Sequence, residues 1–334
     1  MSKRILLCGE AWGRYEAEQG RPFAGPSGGL LNAFLSASGL SRNDCYLTNV
    51  FNFQPRGNKI STLCGSKAEG IPRLPPIEKG RYVRAEYKHE LDRLFAEIEA
   101  ANPNIIVPLG NTACWALLRN PSIRKLRGAP IETVTGHKAI PTYHPAAVLR
   151  EYKLRPIVFS DFKKIERQSH FPEIVRPSRE FWLHPTLEDL HAFERYIDEA
   201  EILSVDIETW NLQITCIGFA TNTDRALVIP FVWHGKRDGN YWPDLPTELE
   251  VWNIVRRWLT SGKRVIGQNF LYDARYLWHR YGIPVMNIFG DTMLIHHAQQ
   301  PEMEKSLGFL GSIYTEEPSW KFMRKDIKTL KKED

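Results

Sequence analysis

Along the first 168 residues, short apolar runs alternate with segments in which apolar residues recur every three or four positions. The runs at residues 5–8, 46–50 and 105–109 are typical of buried strands. The longer period predicts helices over residues 30–38, 87–101 and 112–118. Because strands alternate with helices, we expect an α/β fold with a parallel or mixed sheet.

The second half carries a different order of elements. Three consecutive strands are predicted at residues 202–206, 214–220 and 226–230. A helix (249–259), a strand (264–267) and a second helix (273–281) follow. Three antiparallel strands followed by alternating helix and strand predict a ribonuclease-H-like fold.

Between the halves, residues 169–187 contain Pro172 and Pro177 and show no apolar periodicity. A helix then begins, with Leu190, Phe193 and Ile197 on one face. We therefore predict a first domain at 1–168, a linker at 169–187 and a second domain at 188–334.

The net charge of +5 is divided unequally between the two halves. Residues 1–168 hold 25 Lys and Arg against 15 Asp and Glu, whereas residues 169–334 hold 19 against 24. A basic first half suits a polyanion such as DNA. The five cysteines form no CxxC pair, and no apolar run reaches the ~18 residues of a membrane span. We expect a cytoplasmic protein with reduced core cysteines and no membrane partner.

Three polar or Gly-rich segments begin where predicted strands end. They are residues 9–28 (GEAWGRYE, then GRPFAGPSG), residues 46–50 (YLTNV) and residues 143–150 (YHPAAVLR). Ligands of open α/β sheets bind outside the carboxyl ends of the strands, so these segments are expected to meet at one pocket.

In this order, and with Lys125-Leu126-Arg127-Gly128 ahead of the third segment, the motifs over residues 4–165 resemble the uracil-DNA glycosylase superfamily, in particular its iron–sulfur-type branch. The resemblance implies an α/β/α sandwich whose pocket receives a flipped base. It assigns Phe23 to stacking on uracil, Asn49 to reading its edge, Glu10 to the attacking water and His144 to the O2 atom. Trp12, where a proline is typical, would either alter the positioning of the water or add a stacking surface. The DNA contacts it implies are Arg21, Ser27, Arg127, Val148, Leu149 and Arg150.

The sequence departs from that branch at its cysteines. Only Cys8 precedes Gly9, and Phe53 stands where a cysteine normally follows the Asn motif. Four cysteines cannot be gathered in this way, so we expect no iron–sulfur cluster and a glycosylase that needs no cofactor.

Two carboxylates, Asp206 and Glu208, share one face of a predicted strand, and Asp273 follows a later strand. With Asn269, these residues resemble the 3′–5′ exonuclease domain of family A DNA polymerases over about residues 185–325. The resemblance implies that Asp206, Glu208 and Asp273 hold Mg²⁺ or Mn²⁺.

The last exonuclease motif of that family, Tyr-x-x-x-Asp, does not occur after Asp291. Asp326 follows Phe322 by four residues but comes too early and lacks the tyrosine hydroxyl. Either the nuclease is inactive, or a missing C-terminal portion completes it. We expect the basic tail at residues 321–332 to be a solvated end.

The combination of domains resembles the N-terminal part of phage family A polymerases, from a split gene or a truncated chain. Three functions stay open: excision of uracil from DNA, a non-catalytic DNA-binding module that serves a polymerase domain or subunit, and a working metal-dependent exonuclease.

Overall fold

A computed structural model of the protein describes residues 4–233, 235 and 238–318. The chain divides into two compact units, one formed by residues up to Val175 together with those from Gly308 onward, the other by Arg176–Leu307. The basic tail at 321–332, including Phe322 and Asp326, lies outside the described residues. No helix in the described part is long and apolar enough to cross a membrane.

The first unit is built on a mostly parallel sheet with helices on both faces. In chain order, its strands and helices are β1 (Ile5–Ala11), α1 (Arg14–Gln19), α2 (Pro26–Ala37), β2 (Cys45–Phe51), β3 (Cys64–Gly65), β4 (Tyr82–Val83), α3 (Lys88–Ala101), β5 (Ile105–Pro108), α4 (Asn111–Leu118), α5 (Ile123–Leu126), β6 (Ile131–Glu132), β7 (Lys138–Ala139), α6 (Pro145–Arg150) and α7 (Arg155–Gln168). Five strands form a sheet in the order β2-β1-β5-β7-β6, and β3 pairs with β4 in a separate two-stranded sheet. Among the described strands of the five-stranded sheet, only the edge strand β6 is antiparallel to its neighbour.

Alternate residues of strand β1, an inner strand of the sheet, contribute to its two faces. Leu6 and Cys8 belong to the apolar cluster that includes residues of α3 and α4. Ile5 and Leu7 belong to the cluster on the other face, with residues of α2 and α7. A strand buried on both sides reads as a continuous apolar run, as residues 5–8 do. The expected α/β/α sandwich is confirmed.

The second unit contains β8 (Glu180–Trp182), α8 (Leu187–Glu199), β9 (Ile202–Trp210), β10 (Gln213–Ala220), β11 (Arg225–Pro230), α9 (Leu245–Thr260), β12 (Arg264–Gly267), α10 (Leu271–Tyr281), β13 (Ile288–Asp291) and α11 (Thr292–Gln299). Its sheet has the order β13-β12-β9-β10-β11-β8. The strands β9, β10 and β11 are antiparallel, whereas β12 and β13 run parallel to β9. This order confirms the expected ribonuclease-H-like fold. The edge strand β8 falls within the segment 169–187 that was predicted to be a linker.

A last helix, α12 (Leu307–Tyr314), begins where the chain returns to the first unit. The buried Lys164 ammonium donates to the carbonyls of Gly128, Ser312 and Thr315. Glu316 accepts from the side chain of Gln168 at 2.6 Å. From the sequence, the second domain was predicted at 188–334, without the packing of residues after 308 on the first unit. The ion pairs and hydrogen bonds that hold this segment join residues about 150 positions apart in sequence, so no local pattern reveals them.

Candidate active site

The parallel pairing of β1 with β2 and β5 brings the carboxyl ends of these strands to one edge of the sheet. Gly9 of β1 lies in register with Asn49 of β2. Leu109, which follows β5, bridges to Thr142, just before His144. Residues separated by more than 130 positions in sequence are therefore neighbours at this edge, as predicted for the three motif segments.

Phe23 and Asn49 lie directly over the backbone of Gly9. A Cβ atom on Gly9 would stand 2.2 Å from Asn49 Oδ1 and 2.8 Å from Phe23 Cζ. Only glycine permits this approach. Both side chains are buried, Asn49 with 3% of its surface exposed and Phe23 with 5%. Burial therefore restricts the Asn49 and Phe23 side chains to these positions.

The backbone of Phe23 is held in an uncommon conformation by its surroundings. Its φ of +54° lies in the left-handed region, which is costly for an aromatic residue. The carboxylate of buried Glu16 accepts from the N–H groups of Gly13 (3.1 Å) and Ala24 (3.2 Å) and so ties the two ends of this loop together. A Cβ on Gly28 would stand 1.9 Å from the Phe23 carbonyl oxygen, so the following helix also requires a glycine.

Glu10 is the second-last residue of strand β1, at the same edge, and has a fixed partner. The hydroxyl of Thr112, in the first turn of α4, donates to Glu10 Oε2 over 2.5 Å. The Thr112 side chain is buried. One carboxylate oxygen is therefore oriented by the protein, which leaves Oε1 for another donor.

His144 precedes helix α6 and caps it. The backbone N–H of Ala146 donates to His144 Nδ1 over 3.1 Å. Desolvation, and to a lesser extent the positive charge of Arg150, lowers the pKa of His144 to about 4. The imidazole is therefore neutral at pH 7, and since Nδ1 accepts, its proton is carried by Nε2. The ring stacks on Phe23 with 5.8 Å between centroids.

These groups line one cavity of about 470 Å³, a size typical of small-molecule sites. Four residues assigned to the uracil pocket from the sequence are among its walls: Glu10, Phe23, Asn49 and His144. Ser27, Arg124 and Arg150 also line it, and the two arginines are exposed to solvent. The cavity thus joins a buried apolar and amide surface to a basic rim.

Residues 1–170 match the family model described as the uracil DNA glycosylase superfamily, which is half of the chain. The chain belongs to the uracil-DNA glycosylase superfamily. It is 38% identical over 168 residues to the type-4 uracil-DNA glycosylase of Thermotoga maritima, a match that covers 49% of this chain and 77% of that protein.

Two further comparisons concern other classes of protein. A DNA polymerase of Bacillus phage SP01 is 27% identical over 161 residues, which cover 48% of this chain but 15% of the polymerase. The crystal structure of the EXD2 exonuclease domain soaked in Mg has a TM-score of 0.26 at 16% identity, covering 36% of this chain and 59% of that chain. The evidence for the fold of the second unit is its own strand order.

Several residues that the glycosylase resemblance assigned to DNA or uracil lie elsewhere in this glycosylase unit. Arg127 is 4% exposed, and its guanidinium donates to both oxygens of Asp161. Val148 is 3% exposed and packs in the core beside α2 and α7. We correct both assignments, because a buried ion pair and a core side chain are not available to DNA.

Trp12, Arg21 and Leu149 are more exposed but do not line the cavity. The backbone N–H of Trp12 donates to the carbonyl of Phe53, beside the pocket segment. Arg21 donates to the side chain of Gln19, and Leu149 exposes 56% of its surface. The structure therefore does not bring the Trp12 ring to the predicted uracil site, whereas Arg21 and Leu149 stay predicted DNA contacts.

Sequence reasoning missed residues that hold the glycosylase site from behind. Arg93 of α3 donates to the backbone carbonyls of Asn49 (2.8 Å) and Val50 (3.1 Å), and its charge is paired with Glu90 and Glu97. Thr112 orients Glu10 as described. A Gly-Asn-Thr sequence one residue after strand β5 was the available signal for Thr112, whereas the helical spacing of Arg93 gave none.

The cysteines of the glycosylase unit do not suit an iron–sulfur cluster. Cys8, Cys45, Cys64 and Cys114 are all buried and free, and each belongs to a different strand or helix. No three His, Cys, Asp or Glu side chains gather as a metal site in the described chain. At the position where the family pattern places a cysteine, Phe53 instead stacks on Tyr87 with 5.8 Å between ring centroids.

In the second unit, the predicted metal ligands are near one another but do not form a metal site. Asp206 and Glu208 lie on the exposed face of β9, as their spacing predicted. Asp273 is 4% exposed and accepts from the Ile207 N–H over 2.8 Å. Desolvation raises the pKa of Asp273 to about 6, and the nearby Asp206 charge adds to this effect. No three His, Cys, Asp or Glu side chains gather as a metal site among the described residues, so the role of these carboxylates as metal ligands stays a prediction.

Proposed function

We propose that the first unit excises uracil from DNA by hydrolysing the N-glycosidic bond of a nucleotide flipped into the cavity. The observation that carries this proposal is the convergence of Glu10, Phe23, Asn49 and His144 on one cavity at the carboxyl edge of the sheet. Each of the four supplies a different requirement of the reaction. Membership in the superfamily supports the same reading.

Base recognition follows from the two side chains over Gly9. The flat ring of Phe23 offers an apolar face on which a pyrimidine stacks. The Asn49 amide presents a donor and an acceptor, which match the O4 and N3–H groups of uracil. Because Arg93 clamps the backbone of Asn49, the amide is held in a single position, which favours discrimination between bases.

The chemical step needs an oriented water and a stabilised leaving group. Glu10, held by Thr112, accepts a hydrogen bond from a water that attacks C1′, while the C1′–N1 bond breaks and the electron pair departs with the base. The neutral His144 donates its Nε2–H toward O2, where negative charge develops. The attacking water gives up a proton to solvent and the departing base takes one up at N1, so the products are uracil and an abasic site.

The rim of the cavity accounts for binding to the DNA backbone. Arg124 and Arg150 are exposed and line the cavity together with Ser27. Arginine and hydroxyl groups are common phosphate ligands. We propose that they hold the phosphates on either side of the flipped nucleotide.

The test uses a 5′-labelled single-stranded oligonucleotide with one uracil, incubated without added metal and then cleaved with alkali at abasic sites. Wild type should cleave at the uracil. Asn49→Ala should lower the rate about 5- to 150-fold, since it removes two hydrogen bonds to the base. Asn222→Ala, in a surface loop of the second unit, is the matched control and should retain full activity. No cleavage by folded wild type would contradict the proposal.

A second candidate is a DNA-binding module without turnover that serves a polymerase domain or subunit. The phage polymerase match favours it, because 161 residues of the alignment relate this chain to part of that protein. The same oligonucleotide decides between the two functions. Tight binding by wild type, weakened by Arg150→Ala but without alkali-labile product, supports the module and excludes excision.

A further inference from the structure

Helix α12, on which the chain returns to the glycosylase unit, completes a buried polar network there. Arg127 donates to the hydroxyl of Ser312 over 2.6 Å and to both carboxylate oxygens of Asp161. Asp161 also accepts from the hydroxyl of Thr142 over 2.6 Å. We call these four residues the Ser312 network. No step of the proposed excision uses them, although Thr142 lies two positions before His144.

The Ser312 network is shielded from water and tightly packed. Thr142 and Asp161 expose none of their surface, and Arg127 exposes 4%. Gly128 has a φ of +79°, and a Cβ atom on it would stand 2.7 Å from the Ser312 carbonyl oxygen. Helix α12 therefore packs directly on the backbone beside Arg127. Because hydrogen bonds in such surroundings are stronger than in water and reinforce one another, the loss of one affects the others.

The charges of this region explain why α12 is held here. Arg127 and Lys164 are both buried cations, and both interact with the same carboxylate, Asp161. The Lys164 ammonium also donates to the carbonyls of Ser312 and Thr315. Carbonyls at the C-terminal end of a helix lack partners within the helix and carry partial negative charge. Helix α12 therefore supplies the negative charge that the second buried cation needs.

Thr142 connects the network to the edge of the sheet where the cavity lies. Its carbonyl accepts from the Gly110 N–H over 2.9 Å, and its own N–H donates to the Pro108 carbonyl over 3.1 Å. His144 lies against Gly110, where a Cβ atom would stand 3.3 Å from the His144 Cβ. Gly110 and His144 both line the cavity. A shift of Thr142 would therefore move the imidazole relative to a bound base, and small misplacements of a catalytic group lower the rate strongly.

We propose that Ser312 is a positioning residue for uracil excision, an inference that rests on the proposed function. Through Arg127 and Asp161, it holds Thr142 in place. Thr142 in turn fixes the orientation in which the His144 imidazole meets the charge that develops on O2. Ser312 does not line the cavity, so it acts on the rate of the chemical step rather than on base binding.

The test measures single-turnover excision by the full chain on the uracil oligonucleotide, with enzyme in saturating excess. Ser312→Ala should lower the rate constant about 2- to 30-fold, the range that substitutions along coupled networks produce. Affinity for an oligonucleotide that carries 2′-fluoro-deoxyuridine, whose glycosidic bond resists cleavage, should be unchanged. Ser312→Thr retains the hydroxyl and should recover most of the rate.

A change of leaving group separates positioning from a loss of folded protein. The 5-fluorouracil anion is more stable than the uracil anion, so its departure depends less on the hydrogen bond from His144. Ser312→Ala should therefore lose less of its rate on 5-fluorouracil than on uracil. A variant that is only partly folded would lose the same proportion with both bases.

The matched control is Glu316→Gln. Glu316 holds the same segment through Arg167 (3.1 Å) and Gln168 (2.6 Å) and has no hydrogen bond to the Ser312 network among the described contacts. This variant should excise uracil at the wild-type rate. Equal rates for wild type and Ser312→Ala, equal losses in the Ser312→Ala and Glu316→Gln variants, or equal losses on the two bases would each overturn the inference alone. No excision by folded wild type would overturn the proposed function and this inference with it.

Discussion

The hydrogen bond from Thr112 to Glu10 provides a direct test of the proposed chemistry. Replacing Thr112 with valine keeps the shape and burial of the side chain but removes the hydroxyl that donates to Glu10 Oε2 over 2.5 Å. The carboxylate then loses the partner that fixes its orientation. Because neither Phe23 nor Asn49 touches Thr112 in the described contacts, base binding should be retained.

The expected loss is worked from the strength of this bond. Hydrogen bonds to charged groups are worth about 1.5–3 kcal/mol. If the bond acts fully in the transition state, this corresponds to a decrease of about 10- to 150-fold in kcat/KM. Single-turnover excision of uracil, measured with enzyme in excess, isolates this step from product release. Thr112→Ser restores the hydroxyl and should recover most of the rate.

The comparison of valine with serine decides the outcome. A structural role alone would lower the melting temperature of both variants and leave the rate of the folded fraction unchanged. Equal rates for wild type and Thr112→Val, or equal losses in the valine and serine variants, would refute the positioning role of Thr112.

Three further outcomes concern buried titratable groups. Because the pKa of His144 is about 4, excision should stay level from pH 8 to pH 5, and a break near pH 6.5 that His144→Asn removes would contradict its neutral role. Asp161→Ala leaves Arg127 buried and unpaired, so urea unfolding should show a loss of about 3–5 kcal/mol, and a loss under about 1 kcal/mol would argue against the ion pair. The folded pKa of Asp273, about 6, exceeds its usual 3.8, so its contribution to stability is present at low pH and lost as pH rises through 6. Asp273→Asn should therefore raise the melting temperature more at pH 8 than at pH 4.5, and equal shifts at both would contradict this pKa.

Local patterns in the sequence predicted most elements of both units. The strand predicted at residues 264–267 is β12, and the helix predicted at 87–101 is α3 within one residue. Apolar periodicity is a local property, so it can be recognised in the sequence without knowledge of the tertiary structure. Helix α2 begins at Pro26, four residues before its predicted start at residue 30, because its first turn consists of small residues that carry no apolar period.

The pocket was predictable because its residues follow strand ends, and parallel strands bring their carboxyl ends to the same edge. The contacts that support the pocket residues could not be predicted from the sequence. Arg127 resembles a DNA-binding arginine by sequence, yet its partner Asp161 stands 34 residues away. A lone polar residue does not reveal whether a distant chain segment will bury it. The same holds for Thr112 and Arg93, whose partners lie on other elements.

The return of the chain from the second unit to the first affects how the protein would respond to cleavage. The chain leaves the first unit near residue 175 and rejoins it at Gly308. In the returning segment, the Ser312 hydroxyl accepts from Arg127 over 2.6 Å, and the carbonyls of Ser312 and Thr315 accept from Lys164. A protease that cuts once between residues 169 and 187 therefore produces two fragments joined by these contacts rather than two free domains. The nicked protein should elute from a sizing column as one particle, and its fragments should separate only in denaturant.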